Sequence, residues 1–134
     1  MSNVFGAIDT AGSGLVVYRK WLDAVSDNIA NINDVRPTSG PAFQAKYVVA
    51  QANNYGQAGG VQVAGIALGS AQGRVSYQPD HPLADANGMV RLPDIDLSDQ
   101  MTQLILAQRG YQANLAVVDR AHDAYTQALT LGTR

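Results

Sequence analysis

The chain has 134 residues and a mass of 14.2 kDa, the length of one domain, with 46% hydrophobic residues and a net charge of -2. Charged residues reach only 15%, below the roughly 25% of an average soluble domain, and all 11 acids are Asp. The absence of cysteine excludes disulfide frameworks, thiolate metal sites and thiol catalysis, and nine basic residues without a basic stripe leave no electrostatic footprint for nucleic acid.

No apolar run approaches the ~18 residues of a membrane-spanning helix. Met1 to Thr10, with one acid and no basic start, is unlike a signal peptide. All five prolines (Pro37, Pro41, Pro79, Pro82, Pro93) lie in the middle, so neither end carries a forced helix break. The expected layout is a terminal helical part, 1–36 plus 97–134, around a β-rich insert, 37–96. The class is mainly α, with long N- and C-terminal helices forming a coiled-coil base and short strands and loops between them.

The first helix is expected from about residue 10 to 33. Ile8, Leu15, Leu22 and Ile29 recur every seven residues, and Ala11, Tyr18, Val25 and Ile32 repeat the spacing three positions later. Such a pattern is either a coiled-coil seam or the amphipathic face of a globular bundle, whose periods nearly coincide. Gly6, Gly12 and Gly14 each cost about 1 kcal/mol against Ala in a helix interior, so residues 1–14 are expected to fray in the isolated chain. Asp27 to Asp34 holds three Asn and two Asp, which compete with the helix for backbone groups. That segment reads as a frayed end leading into a turn. Its alternative is an amide-rich surface that registers neighbouring helices.

In the insert, Tyr47–Val49, Val61–Leu68, Gly73–Tyr77 and Met89–Leu92 read as short strands, with Asn53 to Gly60 as a loop closing the first two into a hairpin. The most enzyme-like cluster is Asp80-His81-Pro82-Leu83-Ala84-Asp85, where an imidazole between carboxylates suggests a metal site or a general base. Two flanking prolines and the following Asn87-Gly88 give it the composition of a turn instead. Ser13, Ser26 and Ser76 stand in no nucleophile elbow, and no phosphate-binding glycine loop is present. Asp94 and Asp96, as a carboxylate pair, sit where helix caps belong. No catalytic set, cofactor, metal or small-molecule substrate is expected.

The second helix starts after Asp96 or Ser98, either of which caps free N–H groups, with Asp94 and Asp99 at the positive end of the dipole. Met101, Gln108, Leu115, His122 and Leu129 form one heptad series, and Leu104, Tyr111, Val118 and Tyr125 the other. His122 reads as a packed core or interface residue. Gly132 and Arg134 mark the end.

Two segments resemble a known family. Asp9-Thr10-Ala11-Gly12-Ser13-Gly14-Leu15, followed by Ser26-Asp27-Asn28-Ile29-Ala30-Asn31, is similar to the N-terminal signature of bacterial flagellar axial proteins. The run from Tyr77 to Asp96, with Asp80, His81, Pro82, Asp85 and Gly88, and Arg109-Gly110-Tyr111-Gln112-Ala113-Asn114 narrow the resemblance to its proximal-rod members. The chain departs from the family at Ile32-Asn33-Asp34-Val35-Arg36 and at Ala67-Leu68-Gly69-Ser70-Ala71. The resemblance implies a non-enzymatic subunit of the flagellar basal-body rod, the torque-transmitting shaft that crosses the periplasm. It also implies export through the flagellar type III apparatus without a cleaved signal peptide. Its partners would be other rod proteins and copies of itself. The helices would pack through Ile8, Ala11, Leu15, Tyr18, Leu22, Val25, Ile29, Ile32, Leu104, Tyr111, Leu115, Val118, His122, Tyr125 and Leu129. A free-standing coiled-coil dimerising adaptor is the competing reading, and a small hydrolase using Asp80, His81 and Asp85 is a third.

Overall fold

The computed structural model describes residues 2–53 and 59–132. In chain order it has α1 (Ser2–Ala30), β1 (Lys46–Ala52), β2 (Val61–Leu68), β3 (Arg74–Tyr77), β4 (Met89–Leu92) and α2 (Leu97–Gly132). The class is therefore two helices with a small antiparallel β part between them.

Helix α1 starts well before the expected residue 10 and ends before 33. Its glycines lie within the helix, and α2 lies along it as far as Phe5, whose ring meets Tyr125 edge-on at 5.6 Å between centroids. Its end is set by Asn31, whose amide donates to the Asp27 carbonyl (2.8 Å) and carboxylate (3.1 Å). Ile32 thus lies in the following turn and outside the helix. Helix α2 is 36 residues against 29, about two turns longer. Asp96 is its N-cap: its carboxylate accepts from the Asp99 N–H at 2.8 Å, and its carbonyl from the Gln100 N–H at 3.1 Å.

The strands form two separate antiparallel ribbons. β1 pairs with β2 from Lys46↔Leu68 to Ala52↔Val61, with a bulge at Val49/Ala50. The residues expected to close this hairpin lie mostly outside the described ones, as does Arg134. β3 pairs with β4 from Arg74↔Leu92 to Tyr77↔Met89. Gly73 enters β3 at φ +56°, and a Cβ there would collide with the Leu92 carbonyl and Ala42, so the position requires glycine.

The β1–β2 ribbon packs on α1, where Val17, Tyr18, Trp21, Val48, Ala50 and Val61 line an apolar cleft of about 230 Å³. Val90, Pro93 and Ile95 are buried, which fixes the approach to α2. The segment after α1 is tied to β4 by a reciprocal Arg36↔Arg91 bridge (2.9 and 2.8 Å). The Arg91 guanidinium also donates to the Thr38 (2.8 Å) and Gln72 (2.5 Å) carbonyls.

Candidate functional site

The two helices meet along one antiparallel seam. Positions 5, 14, 18 and 28 of α1 lie against 125, 114, 110 and 100 of α2, one number falling as the other rises. The seam residues of α1 are Ala11, Gly14, Tyr18, Trp21, Val25 and Asn28, buried or half-buried throughout, while Val17 and Ala24 face the β1–β2 ribbon. On α2 the matching line is Gln100, Leu104, Ala107, Tyr111, Asn114, Val118, Ala121 and Tyr125.

Of the two heptad series expected on each helix, Ala11, Tyr18 and Val25 of the first and the Leu104 series of the second lie on this seam, while Ile32 falls in the turn beyond α1. The Ile8, Leu15, Leu22 and Ile29 series stays half-buried at its edge. Met101, Gln108, Leu115, His122 and Leu129 are all exposed and do not face α1. His122 is not packed at all: its side chain is 74% exposed and lies 3.8 Å from the Asp123 carboxylate. The physical reason is that the seam's second line runs three residues on from the first, through Gly14, Trp21 and Asn28 and through Ala107, Asn114 and Ala121. These small, polar and aromatic residues are weak hydrophobic markers. The signal available in sequence was their sevenfold spacing and their small size.

Two glycines act as holes. A Cβ at Gly14 would stand 2.6 Å from Asn114 Oδ1 and 2.9 Å from its Cγ, while one at Gly110 would fall on the Tyr18 ring. Each helix therefore receives a side chain of the other where it has none of its own. Asn114 is held there by donating to the Gly110 carbonyl at 2.8 Å, and Tyr18 stacks on Trp21 at 5.9 Å.

The polar stretch at the end of α1 is not frayed. Asn28 is 0% exposed and Gln100 1% exposed, and they meet directly: Asn28 Nδ2 donates to Gln100 Oε1 at 3.0 Å. The same Asn28 amide donates to the Lys46 carbonyl (3.0 Å) and accepts from the Lys46 N–H (2.8 Å). Its two N–H groups and its oxygen are all engaged, as a buried amide requires. A neighbouring Lys46–Asp27 ion pair closes the edge of the node. One asparagine thus fastens α1 to β1 and to α2 together.

Outside the seam, α2 carries two more apolar lines. At 100° per residue, Leu97, Met101, Ile105 and Leu115 lie on one side of the seam, and Leu106, Val117 and Leu131 on the other. All seven are exposed within the chain.

The Asp80–Asp85 cluster is the connection of the β3–β4 hairpin. Asp85 accepts from the Asn87 and Met89 N–H groups (2.8 and 3.0 Å) and from the Thr38 hydroxyl (2.8 Å). The Met89 N–H first, then Thr38 and Asn87, hold its carboxyl below the usual carboxylate range. His81 Nδ1 accepts from the Leu83 N–H at 3.1 Å, so that ring nitrogen is engaged within the same loop. Gly88 turns this loop at φ +74° against the Tyr77 ring. Among the described residues no group of His, Asp or Glu is placed to hold a metal ion, and no helix is long and apolar enough to cross a membrane.

Comparison with known proteins bears on this layout. A family model for the C-terminal part of flagellar basal body rod FlgEFG proteins matches residues 86–131, which include the whole seam face of α2. The flagellar basal-body rod protein FlgC of Salmonella typhimurium is 39% identical over 132 residues, covering 97% of this chain and 96% of the relative. FlgC of Yersinia enterocolitica is 41% identical with the same coverage. FlgC of Borreliella burgdorferi is 31% identical, covering 96% of this chain and 97% of the relative.

Proposed function

This chain belongs to the FlgC family of flagellar basal-body rod proteins, a structural subunit of that rod, and from that membership we propose how it assembles. The observation that carries the proposal is the second and third apolar lines of α2. A helix whose one face is already covered by α1 still leaves Leu97, Met101, Ile105 and Leu115 on one flank and Leu106, Val117 and Leu131 on the other. Leu97, Met101 and Ile105 follow one another at four-residue spacing, and an exposed apolar patch of this kind marks an interaction site.

Neighbouring subunits cover these flanks, so that the paired helices form a coiled-coil layer of the rod. The terminal parts, 1–36 and 97–134, are the assembly base, and the insert, 37–96, meets neighbours further out. A contact whose two sides differ does not close on itself, and repeated it builds a helical shaft able to carry torque. The predicted seam positions that point away from α1, Leu115, His122 and Leu129, serve this second layer. The partners are other rod proteins and further copies of this chain. Delivery by the flagellar type III apparatus, without a cleaved leader, accompanies that role. Asp80, His81 and Asp85 have a turn to hold and no reaction to carry out.

The test separates assembly from folding. Ile105→Glu with Leu106→Glu changes two exposed side chains, so the monomer's melting should move little, within about 0.5 kcal/mol. Incorporation into isolated basal bodies and swimming should both be lost. Normal motility of a strain carrying the double variant would remove the outer lines from the assembly surface. A stable, closed dimer by light scattering at micromolar concentration would favour a dimerising adaptor.

A further inference from the structure

We infer that Gln100 fixes the register of α2 on α1, by supplying the one acceptor that Asn28, already locked by β1, leaves open. The order of commitment follows from the hydrogen bonds. Asn28 binds both backbone groups of Lys46, so its amide plane is set by α1 and β1 alone. That leaves one N–H aimed across the seam, in a site from which water is excluded. In the observed register Gln100 Oε1 meets it at 3.0 Å.

A slip of one heptad would put Ala107 there in one direction, and Pro93, which precedes α2, in the other. Neither side chain accepts a hydrogen bond. The slipped pairings would therefore bury a donor without a partner, and Gln100 would lose its own. A buried polar residue at a single seam position is the best-attested device for choosing one register among several apolar ones. The line of α2 that faces Gly14 discriminates weakly, because Ala107, Asn114 and Ala121 repeat at seven-residue spacing and each is small enough to stand there; Tyr18 in the Gly110 hole opposes a slip by shape, and Gln100 adds the polar half of the register. The consequence for assembly rests on the role proposed above. Register decides which residues of α2 stand beside the ends of α1, and so where its outward apolar lines begin and end.

Because the chain has no cysteine, the register can be read by disulfide mapping on the full-length monomer. In Gly14→Cys/Asn114→Cys the two sulfurs are within reach, since a Cβ on Gly14 stands 2.9 Å from Asn114 Cγ. The partners for a slipped helix are Gly14→Cys with Ala121→Cys, and Gly14→Cys with Ala107→Cys, each two turns away in the observed register and each carrying Asn114→Ala so that the added Cβ does not itself force a slip. With Gln100 present, mild oxidation should close the 14–114 pair alone. Gln100→Met keeps the length of the side chain and removes the acceptor, and at least one slipped pair should then close several-fold faster. Gln100→Leu serves equally if the Met variant folds poorly. Gln100→Glu retains an acceptor and should restore the single 14–114 product.

A purely structural role would lower the melting temperature of Gln100→Met while leaving 14–114 as its only disulfide, and that result would overturn the inference. So would slipped disulfides in the Glu variant, or in the chain with Gln100 intact. The readout is taken on the monomer, so its failure is distinct from any failure of rod assembly.

Discussion

Two glycine-to-alanine changes, identical in helix propensity, should have opposite signs. Gly12 and Gly110 both lie inside long helices, where alanine is favoured by about 1 kcal/mol. At Gly12 an added Cβ meets nothing within 4 Å, so Gly12→Ala should realise that gain. At Gly110 the Cβ lands on the Tyr18 ring, whose Cδ1 would stand at 2.7 Å and whose Cε1 and Cζ would be nearer still. Ordinary contact begins near 3.4 Å, so the ring or the helix must retreat by about 1 Å at the centre of the seam, where Tyr18 is also stacked on Trp21. Overpacking of that kind costs about 1–3 kcal/mol. Against the propensity gain, Gly110→Ala should be between neutral and about 2 kcal/mol destabilised, and the two variants should differ by about 1–3 kcal/mol. At this chain length that is a separation of roughly 3–10 °C in thermal melts followed by far-ultraviolet circular dichroism. Tyr18→Ala should cost less in the Gly110→Ala background than alone, because the two residues share one space. If Gly110→Ala melts as high as Gly12→Ala, the helices do not approach closely at Gly110 and the hole-and-knob account of the seam fails.

The amide node and the turn carboxylate give two further expectations. Asn28→Ala strands both backbone groups of Lys46 and the Gln100 acceptor, and should cost about 2–4 kcal/mol in urea unfolding. A loss below 1 kcal/mol would mean that water replaces the amide. Asp85 has its folded-state carboxyl held below the ordinary value of 3.8. Its contribution is therefore complete above that value and is lost as pH falls through the lower folded value. Asp85→Asn keeps an acceptor but cannot titrate. In acid titrations of stability, the native chain should fall more steeply below about pH 4 than this variant, and parallel curves would refute the assignment.

What could be read from the sequence was what depends on neighbours in sequence. The proline-free ends, the Asp96 cap, the four strand cores and the turn character of Asp80–Asp85 are all local, and the chain shows each where its chemistry put it. Resemblance in the Asn28-Ile29-Ala30-Asn31 and Tyr77–Asp96 segments also led to the right family. The inward face of the helices was not legible in full. Heptad counting rewards large apolar residues, and α2 has them on three lines, of which only the Leu104, Tyr111, Val118 and Tyr125 line faces α1. Gly14 looked like a weakness of α1 because its value lies in Asn114, a hundred residues away. Asn28 looked like the frayed end of a helix because both its partners, 18 and 72 residues distant, belong to other elements.

The way the β part is fastened has a mechanical side. The β1–β2 ribbon is pinned to α1 at two points, the Asn28–Lys46 amide pairing and the Val61 N–H donating to the Ser13 hydroxyl at 3.0 Å. A body held at one point swivels; held at two, it can only rock about the line between them. The β3–β4 ribbon is fastened separately, by the Arg36↔Arg91 bridge to the chain leaving α1 and by the buried Pro93 and Ile95 on the way into α2. A twist applied to the ribbons is thus handed to both helices at once, which is how a key, unlike a flag, turns its shaft.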